Sequence, residues 1–304
     1  MKFSIYQESR QGPRRSNQDR VAYCYSRDAL CMIVADGMGG HLHGEVAAQI
    51  ATQFVSEAFQ RQAQPRLEDS VKFLLDSVTA AHRAIVDYAN VRNLLETPRT
   101  TCVACVVQDG LAQWAHVGDS RLYLVRRGRV EAQTKDHSRV QILVDAGRVR
   151  EEAVAAHPDR NKIFNCLGQM GPPRVDLSRR IALHHGDILL LCTDGFWGPL
   201  TGKLICEELL RADIVRAVPE LLDMAEGRAG KDGDNASVVA MTWAEEEAPD
   251  ADWISTISMD PTDIKTTVEQ FGKGTPPPAA GYLTDEEIER AIEEIRNAIK
   301  KHSK

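Results

Sequence analysis

The sequence has no apolar run near the roughly 18 residues that would suit a membrane-crossing helix. Its first residues, MKFSIYQESRQG, alternate and soon turn polar, without the apolar middle of a secretory leader. No membrane-crossing helix and no secretory leader are therefore expected; the cytoplasmic expectation rests on the cysteines. Positive charge is also scarce. Lys and Arg number 37 against 44 Asp and Glu, a net charge of −7 that would repel nucleic-acid phosphates. No cysteine framework exists either. The seven cysteines are odd in number, scattered, and mostly set in apolar runs, which reads as reduced core residues. Cys102 and Cys105 match C-x-x-C, but they lie in the strand-like run TTCVACVV. Positions three apart on a strand face opposite sides, so no zinc or redox pair is expected there. There is no internal repeat.

What is present suits a globular core. Hydrophobic residues make up 43% of the 304 residues and charged residues 27%, enough for one large or two ordinary domains. Met1–Tyr6 and Val21–Tyr25 read as short strands, and the unbroken apolar run LCMIVA (Leu30–Ala35) as a strand buried on both faces. Val46, Ala47, Ile50, Ala51, Phe54, Val55 and Ala58 make one stripe of a helix, and a second helix runs from about Asp69 to Val91. TTCVACVVQ, AQWAHVG, RLYLVRR and RVEAQTK, separated by Asp109-Gly110 and Arg127-Gly128, predict an antiparallel meander. Ser138–Gly147 predicts a short helix. RIALHH and ILLLCT, joined by Gly186-Asp187, predict a strand pair. Helices near Gly202–Arg211 and Asp213–Arg228 precede a last strand, ASVVAMTWA.

The composition changes after Ala244. Residues 1–244 form the expected main domain and residues 245–282 an acidic, Pro/Gly-rich linker. Residues 283–304 carry an amphipathic helix with a Thr284–Glu287 capping box and a stripe of Ile288, Ile292, Ile295 and Ile299. An isolated helix of this length is marginal in water. The stripe is therefore expected to dock intramolecularly or on a partner.

Five aspartates stand at strand ends. Asp19 closes RRSNQD, Asp36 sits in VADGMGGH, Asp119 in HVGDSR, Asp194 in LLLCTDG and Asp234 in KDGDN. One Asp beside Gly is ordinary turn chemistry. Asp36 and Asp194, however, each follow a run of apolar residues, as central strands do, and adjacent central strands bring their ends together. Gathered carboxylates repel strongly where the effective dielectric is low. Cations would neutralise them, and an all-oxygen set without Cys or paired His points to Mg²⁺ or Mn²⁺. Two such ions would activate a water for in-line attack on phosphorus. The glycine after Asp36 would let its carbonyl reach an ion.

RRSNQDR, VADGMGGH, AHVGDSRLY, LCTDGFW and GDNASVV, in this order and spacing, resemble the motifs of the metal-dependent protein serine/threonine phosphatases, the PP2C or PPM family, in its compact bacterial form. The resemblance covers about residues 1–243. It implies an α+β fold, a four-layer αββα sandwich with two central antiparallel sheets flanked by helix pairs. It implies hydrolysis of phosphoserine and phosphothreonine in proteins by a water activated at two Mn²⁺ or Mg²⁺ ions, with a third, weaker ion in bacterial relatives.

The resemblance also implies residue roles. Asp36 bridges the two ions and the Gly37 carbonyl binds one. Asp19, Asp194 and Asp234 complete the site. Asp119, with Asp194, holds the third ion. Arg14 matches the arginine that holds the substrate phosphate, a task suited to a guanidinium fork, with Arg15 as the alternative. Met38 stands where some relatives have a proton-donating histidine, so His41 is the candidate general acid and His43 a structural residue. Residues from about His137 to Gly171 match the family's variable flap beside the cleft, here carrying Arg148, Arg150, Arg160 and Lys162. Phosphoproteins made by a bacterial Hanks-type kinase are the implied substrates. A catalytically dead binding module is the rival reading, opposed by the presence of every metal-site aspartate.

Overall fold

The computed structural model describes residues 1–38, 43–150, 153–154, 157–244 and 253–268. His41 and the helix expected over 283–304 lie outside the described residues.

Two antiparallel sheets stack face to face. The first is built from β1 (Lys2–Arg10), β6 (Arg121–Arg126), β7 (Arg129–Gln133), β10 (Ile188–Cys192), β11 (Ala236–Ala244) and β12 (Ile254–Ser255), in the order β12-β1-β11-β10-β6-β7. The second holds β2 (Asp19–Tyr25), β3 (Ala29–Asp36), β4 (Cys102–Gln108), β5 (Leu111–Val117), β8 (Asp176–Leu177) and β13 (Lys265–Val268), in the order β13-β2-β3-β4-β5-β8. β9 (Ile181–Ala182) also pairs with β5. Between the sheets lies one apolar layer, including Leu30, Met32, Val34, Cys105, Leu189, Leu191, Val239 and Met241.

The alternate residues of the same strands face outward onto helices. Cys31, Ile33, Cys102 and Ala104 pack under α1 (Gly44–Gln62) and α2 (Ser70–Val91). Leu190, Cys192, Val238 and Ala240 pack under α5 (Gly202–Arg211) and α6 (Ile214–Ala229). Strands buried on both faces need apolar residues at every position, and that is why these runs lack polar alternation. Cys102 and Cys105 do fall on opposite faces, each a free thiol. α2 starts at Asp69, whose carboxylate accepts from the amides of Val71 (2.9 Å) and Lys72 (3.1 Å). The result is the α+β, four-layer sandwich that the motifs implied.

Four expectations need correction. The meander breaks in the middle: β4 and β5 pair in one sheet, β6 and β7 in the other, and Gly118–Ser120 crosses between them. RIALHH and ILLLCT do not pair with each other. β9 joins β5, whereas β10 lies between β6 and β11, so the Gly186-Asp187 turn also changes sheets. The strands that carry Asp36 and Asp194 are not neighbours in one sheet; β3 and β10 belong to opposite sheets, and their ends meet across the sandwich.

The linker expectation over 245–282 also fails where that segment is described. β12 pairs with β1 and β13 with β2, so each sheet gains an edge strand. Thr256, fully buried, accepts from the N-terminal amine of Met1 (2.9 Å) and donates to the Arg27 carbonyl (2.6 Å). Pro-rich composition nearby masked a short stretch, DWISTISMDPTDIKTTV, whose apolar Ile254, Ile264 and Val268 reach the core.

Candidate active site

The two sheets deliver the acids from opposite sides. β2 opens with Asp19 and β3 closes with Asp36, and these are direct cross-strand partners. Like charges in that position destabilise a sheet. From the other sheet, Asp194 follows β10 and opens the short helix α4 (Asp194–Trp197), and Asp234 precedes β11. Asp119 rides on the crossover between β5 and β6. The acids meet at a cleft of about 720 Å³ lined by Asp36, Asp119, Asp194 and Asp234, together with Gly37, Met38, Arg14 and Arg15. Asp19 lies beneath, 1% exposed.

Small polar residues fix this end of the sandwich. The Asp36 amide donates to Thr101 Oγ1 (3.0 Å), and the Asp36 carbonyl accepts from the Thr101 amide (2.9 Å) and Thr100 Oγ1 (2.8 Å). Gly37 follows in a space with no room for a side chain. A Cβ there would stand 2.4 Å from the Gly44 carbonyl oxygen and 2.7 Å from that of Gln18. Thr193 Oγ1 donates to Asp19 Oδ2 (2.8 Å) and accepts from the Ser237 amide (3.0 Å). Asn235 donates to the carbonyls of Gln11 (2.8 Å) and Ser16 (3.0 Å) and accepts from the Gln18 amide (2.9 Å). It thereby holds the arginine loop against the Asp234 turn. Arg14 donates to Asp234 Oδ2 (2.7 Å) and to the Gly233 carbonyl (3.1 Å).

Electrostatics single these carboxyls out. Burial, and then the charges of Asp19, Asp194 and Asp119, hold the Asp36 carboxyl well above the usual range. Burial pushes Asp19 up to about 7, against the pull of hydrogen bonds from Ser237 and Thr193. Asp194 is raised to about 6, by burial and then by Asp234; a hydrogen bond with Asp36 and the charges of Arg160 and Arg14 oppose the rise. Asp119 is raised well up by burial and then by Asp194, and its Oδ1 is buried with no hydrogen-bond partner among the described residues. A buried acceptor without a donor is costly. The protein thus gathers hard oxygen donors of which only Asp234 is paired with an arginine, and no Cys or His lines the cleft, among the described residues. That set fits Mg²⁺ or Mn²⁺ and not a soft cation.

A second cluster is less suited to a cation. His116, His137 and Asp176 place one ligand atom each within 4.8 Å of one another. His137 Nδ1 accepts from the Gly118 amide (3.1 Å), so the ring proton sits on Nε2, facing Asp176 Oδ2 at 3.3 Å. His116 Nε2 donates to the Lys135 carbonyl (2.8 Å), and Asp176 takes both nitrogens of the Arg174 fork at 2.7 and 3.0 Å. Few lone pairs are left to coordinate an ion.

The structure therefore brings together Asp19, Asp36, Gly37, Asp119, Asp194, Asp234 and Arg14. Arg15 lines the same cleft, so lining alone does not choose between the arginines, but only Arg14 of the two has a contact to a cleft acid among the described residues. His43 stands in the left-handed region (φ 66°) ahead of α1, a positional role. Lys162 pairs with Asp159 (2.6 Å), whereas its neighbours Asn161 and Ile163 line the cleft. Sequence reasoning missed Thr193, Asn235, Thr101 and Ser120. Thr193, Asn235 and Ser120 had one signal, adjacency to the aspartates in CTDG, GDNAS and GDSR; Thr101 in RTTC has no aspartate beside it and meets Asp36 only through the fold.

Known proteins are similar to this chain in sequence and fold. The family profile described as "Protein phosphatase 2C" matches residues 7–229. A putative protein phosphatase 2C-type of Streptococcus pyogenes is 30% identical over 245 residues, 79% of this chain and 97% of its own length. The serine/threonine phosphatase of S. agalactiae, 30% identical, superposes with a TM-score of 0.71 over 80% of this chain and 100% of its own. The catalytic domain of the serine threonine protein phosphatase PstP, solved in complex with 2 manganese ions, is 31% identical with a TM-score of 0.67, covering 80% of this chain and 99% of its own.

Proposed function

The chain belongs to the protein phosphatase 2C family, and from that premise we propose that it is a metal-dependent serine/threonine protein phosphatase. The observation that carries this reading is the convergence of Asp36, Asp119, Asp194 and Asp234 on one cleft, with Asp19 buried beside them and, among the described residues, only Asp234 paired with an arginine. Asp36, the Gly37 carbonyl, Asp19, Asp194 and Asp234 would hold two Mn²⁺ or Mg²⁺ ions, directly or through water, and Asp119 with Asp194 would offer a third, weaker place. When bound, the ions supply the positive charge and Lewis acidity that turn a water into a nucleophile for phosphorus.

The chain's own residues do the rest. Arg14 leaves Asp234 in part to take two phosphate oxygens with its fork, which fixes the ester in line. The Thr193 hydroxyl orients the Asp19 carboxylate, and the Thr101 hydroxyl holds the Asp36 backbone. Asn161 and Ile163 border the place where the peptide around the phosphoresidue would lie. The substrates are phosphoproteins made by a serine/threonine kinase of the Hanks type. The seven free thiols support a reducing, cytoplasmic setting. The test is release of phosphate from phosphoserine and phosphothreonine peptides. Turnover with Mn²⁺, none with EDTA, and none from Asp36→Ala are expected. Undiminished turnover in EDTA or in Asp36→Ala would refute the reading.

A further inference from the structure

Asp119 has no side-chain partner of its own on Oδ1 among the described residues, yet its turn is held unusually firmly. Gly118 adopts φ +106°, and a Cβ there would lie 2.6 Å from Thr101 Cγ2, so the turn is built against β4 without space to spare. One residue takes both polar groups of the Gly118 backbone. The His137 amide donates to the Gly118 carbonyl (2.9 Å), and His137 Nδ1 accepts from the Gly118 amide (3.1 Å). On the far side of Asp119, the Trp197 indole donates to the Asp119 carbonyl (2.9 Å), and Ser120 Oγ hydrogen-bonds Thr101 Oγ1 (2.7 Å).

The same histidine forms the base of the excursion over residues 138–163. Its carbonyl accepts from the Phe164 amide (3.0 Å), and Asn165 Nδ2 donates to its Nδ1 (2.7 Å). Ser138 and Ile163 bridge just above, and the Arg139 amide donates to the Lys162 carbonyl (2.9 Å). The returning arm then brings Asn161 and Ile163 to the cleft. His137 is 3% exposed and stacks on His116 at 4.8 Å between ring centroids. It touches no cleft acid and no substrate space.

We propose that His137 is a positioning residue that ties the Asp119 turn to the base of the 138–163 excursion. An ion at Asp119 and the order of that excursion are then coupled through one imidazole. This rests on the reading of Asp119 as a metal ligand. The coupling runs both ways, because two events that bias one element must bias each other equally. A peptide held by Asn161 and Ile163 therefore favours the ion at Asp119, and the ion favours order in the arm over residues 157–164.

The experiment is a calorimetric Mn²⁺ titration of the full chain, with amide exchange of residues 138–150 and 157–164 followed in parallel. His137→Gln puts its amide at the Nε2 end of the ring and leaves Gly118 without an acceptor. His137→Asn keeps an acceptor close to Nδ1, and Asp119→Asn is the reference. In His137→Gln the weakest binding event is expected to weaken by roughly 10-fold or more, as loss of an outer-shell partner does. Tighter events stay, and Mn²⁺ no longer slows exchange in the excursion. His137→Asn is expected to restore both to within about threefold of the unaltered chain. Unaltered affinities in His137→Gln, or no rescue by Asn, would overturn the proposal. Unaltered affinities in Asp119→Asn would overturn the ligand assignment and the coupling with it. Asn165→Ala removes the ring's second donor, together with the bonds of Asn165 to the Arg174 carbonyl and amide, and leaves the two His137–Gly118 bonds in place. It should speed exchange of 157–164 in the Mn²⁺-loaded protein at unchanged ion stoichiometry, and no change there contradicts the coupling.

Discussion

β10 carries an aspartate at each end, and the two ends have opposite electrostatic solutions. Asp187, immediately before the strand, is 1% exposed and lies in the Arg126 fork at 2.9 and 2.7 Å, with a third bond from the His184 amide at 2.8 Å. Asp194, just after the strand, faces Asp36 and Asp234, and its carboxyl rises to about 6. Asp136 repeats the first pattern near the cleft end of the strand, in the buried fork of Arg121, which pairs with Cys192 across the sheet and stacks 3.5 Å over the Trp197 ring. The fold evidently can neutralise a buried carboxylate with an arginine when it is structural. At the cleft only Asp234 meets an arginine among the described residues, the half-exposed Arg14, and the charge still missing is what a divalent cation brings. Buried like charges kept at a thermodynamic cost are the mark of a site.

Breaking the cleft end should abolish chemistry and spare the fold. Asp194→Ala is expected to lower Mn²⁺-dependent hydrolysis of p-nitrophenyl phosphate at least about 10²-fold, with circular dichroism unchanged. Breaking the other end should do the reverse. Arg126→Ala strands Asp187 in the interior, and denaturant unfolding should show a loss of about 3 kcal/mol, while kcat per folded molecule stays at its original value.

Neutral substitution sharpens the contrast. Asp36→Asn removes a charge that its neighbours oppose, so the EDTA-treated protein should gain on the order of 1–2 kcal/mol as activity is lost. Asp187→Asn should only destabilise. Arg14→Ala, altering an exposed fork, should raise KM for phosphopeptides by roughly tenfold with a smaller fall in kcat.

The pH response follows the same division. Asp19 and Asp194 have folded values, about 7 and about 6, above their ordinary value of 3.8. The folded state therefore holds those protons more tightly than the unfolded chain does. Their contribution is fully present below pH 4 and is lost as pH rises through about 6 and 7. Melting of the metal-free protein should thus drop across that window, and Mn²⁺ should raise the midpoint more at pH 7.5 than at pH 5, where protons compete for the same oxygens. An equal Mn²⁺ effect at both values would contradict the assignment.

Most of the site was legible because its chemistry is local: an acid, a glycine and an apolar strand leave a mark within a few residues. Asp187 shows the limit of that reading. DILLLCTD offers two acids flanking one strand, and nothing inside the octet says which meets Arg126 and which meets Asp36. That depends on β6 and β3, distant in sequence. The same non-local pairing hid the sheet changes after Val117 and Ala182, since an apolar strand reads alike in either sheet. β12 and β13 escaped notice because two- and four-residue edge strands carry too little periodicity to stand out beside an acidic, proline-containing stretch. The Asn235 and Thr193 contacts join loops more than 40 residues apart and have no period at all.

The most direct test of the uncompensated-carboxylate account is anomalous diffraction at the manganese edge from crystals grown with Mn²⁺. Two strong peaks are expected in the cleft, flanking Asp36 and within reach of Asp19, the Gly37 carbonyl, Asp194 and Asp234. A cleft without peaks, or manganese held at His116, His137 and Asp176 instead, would contradict it.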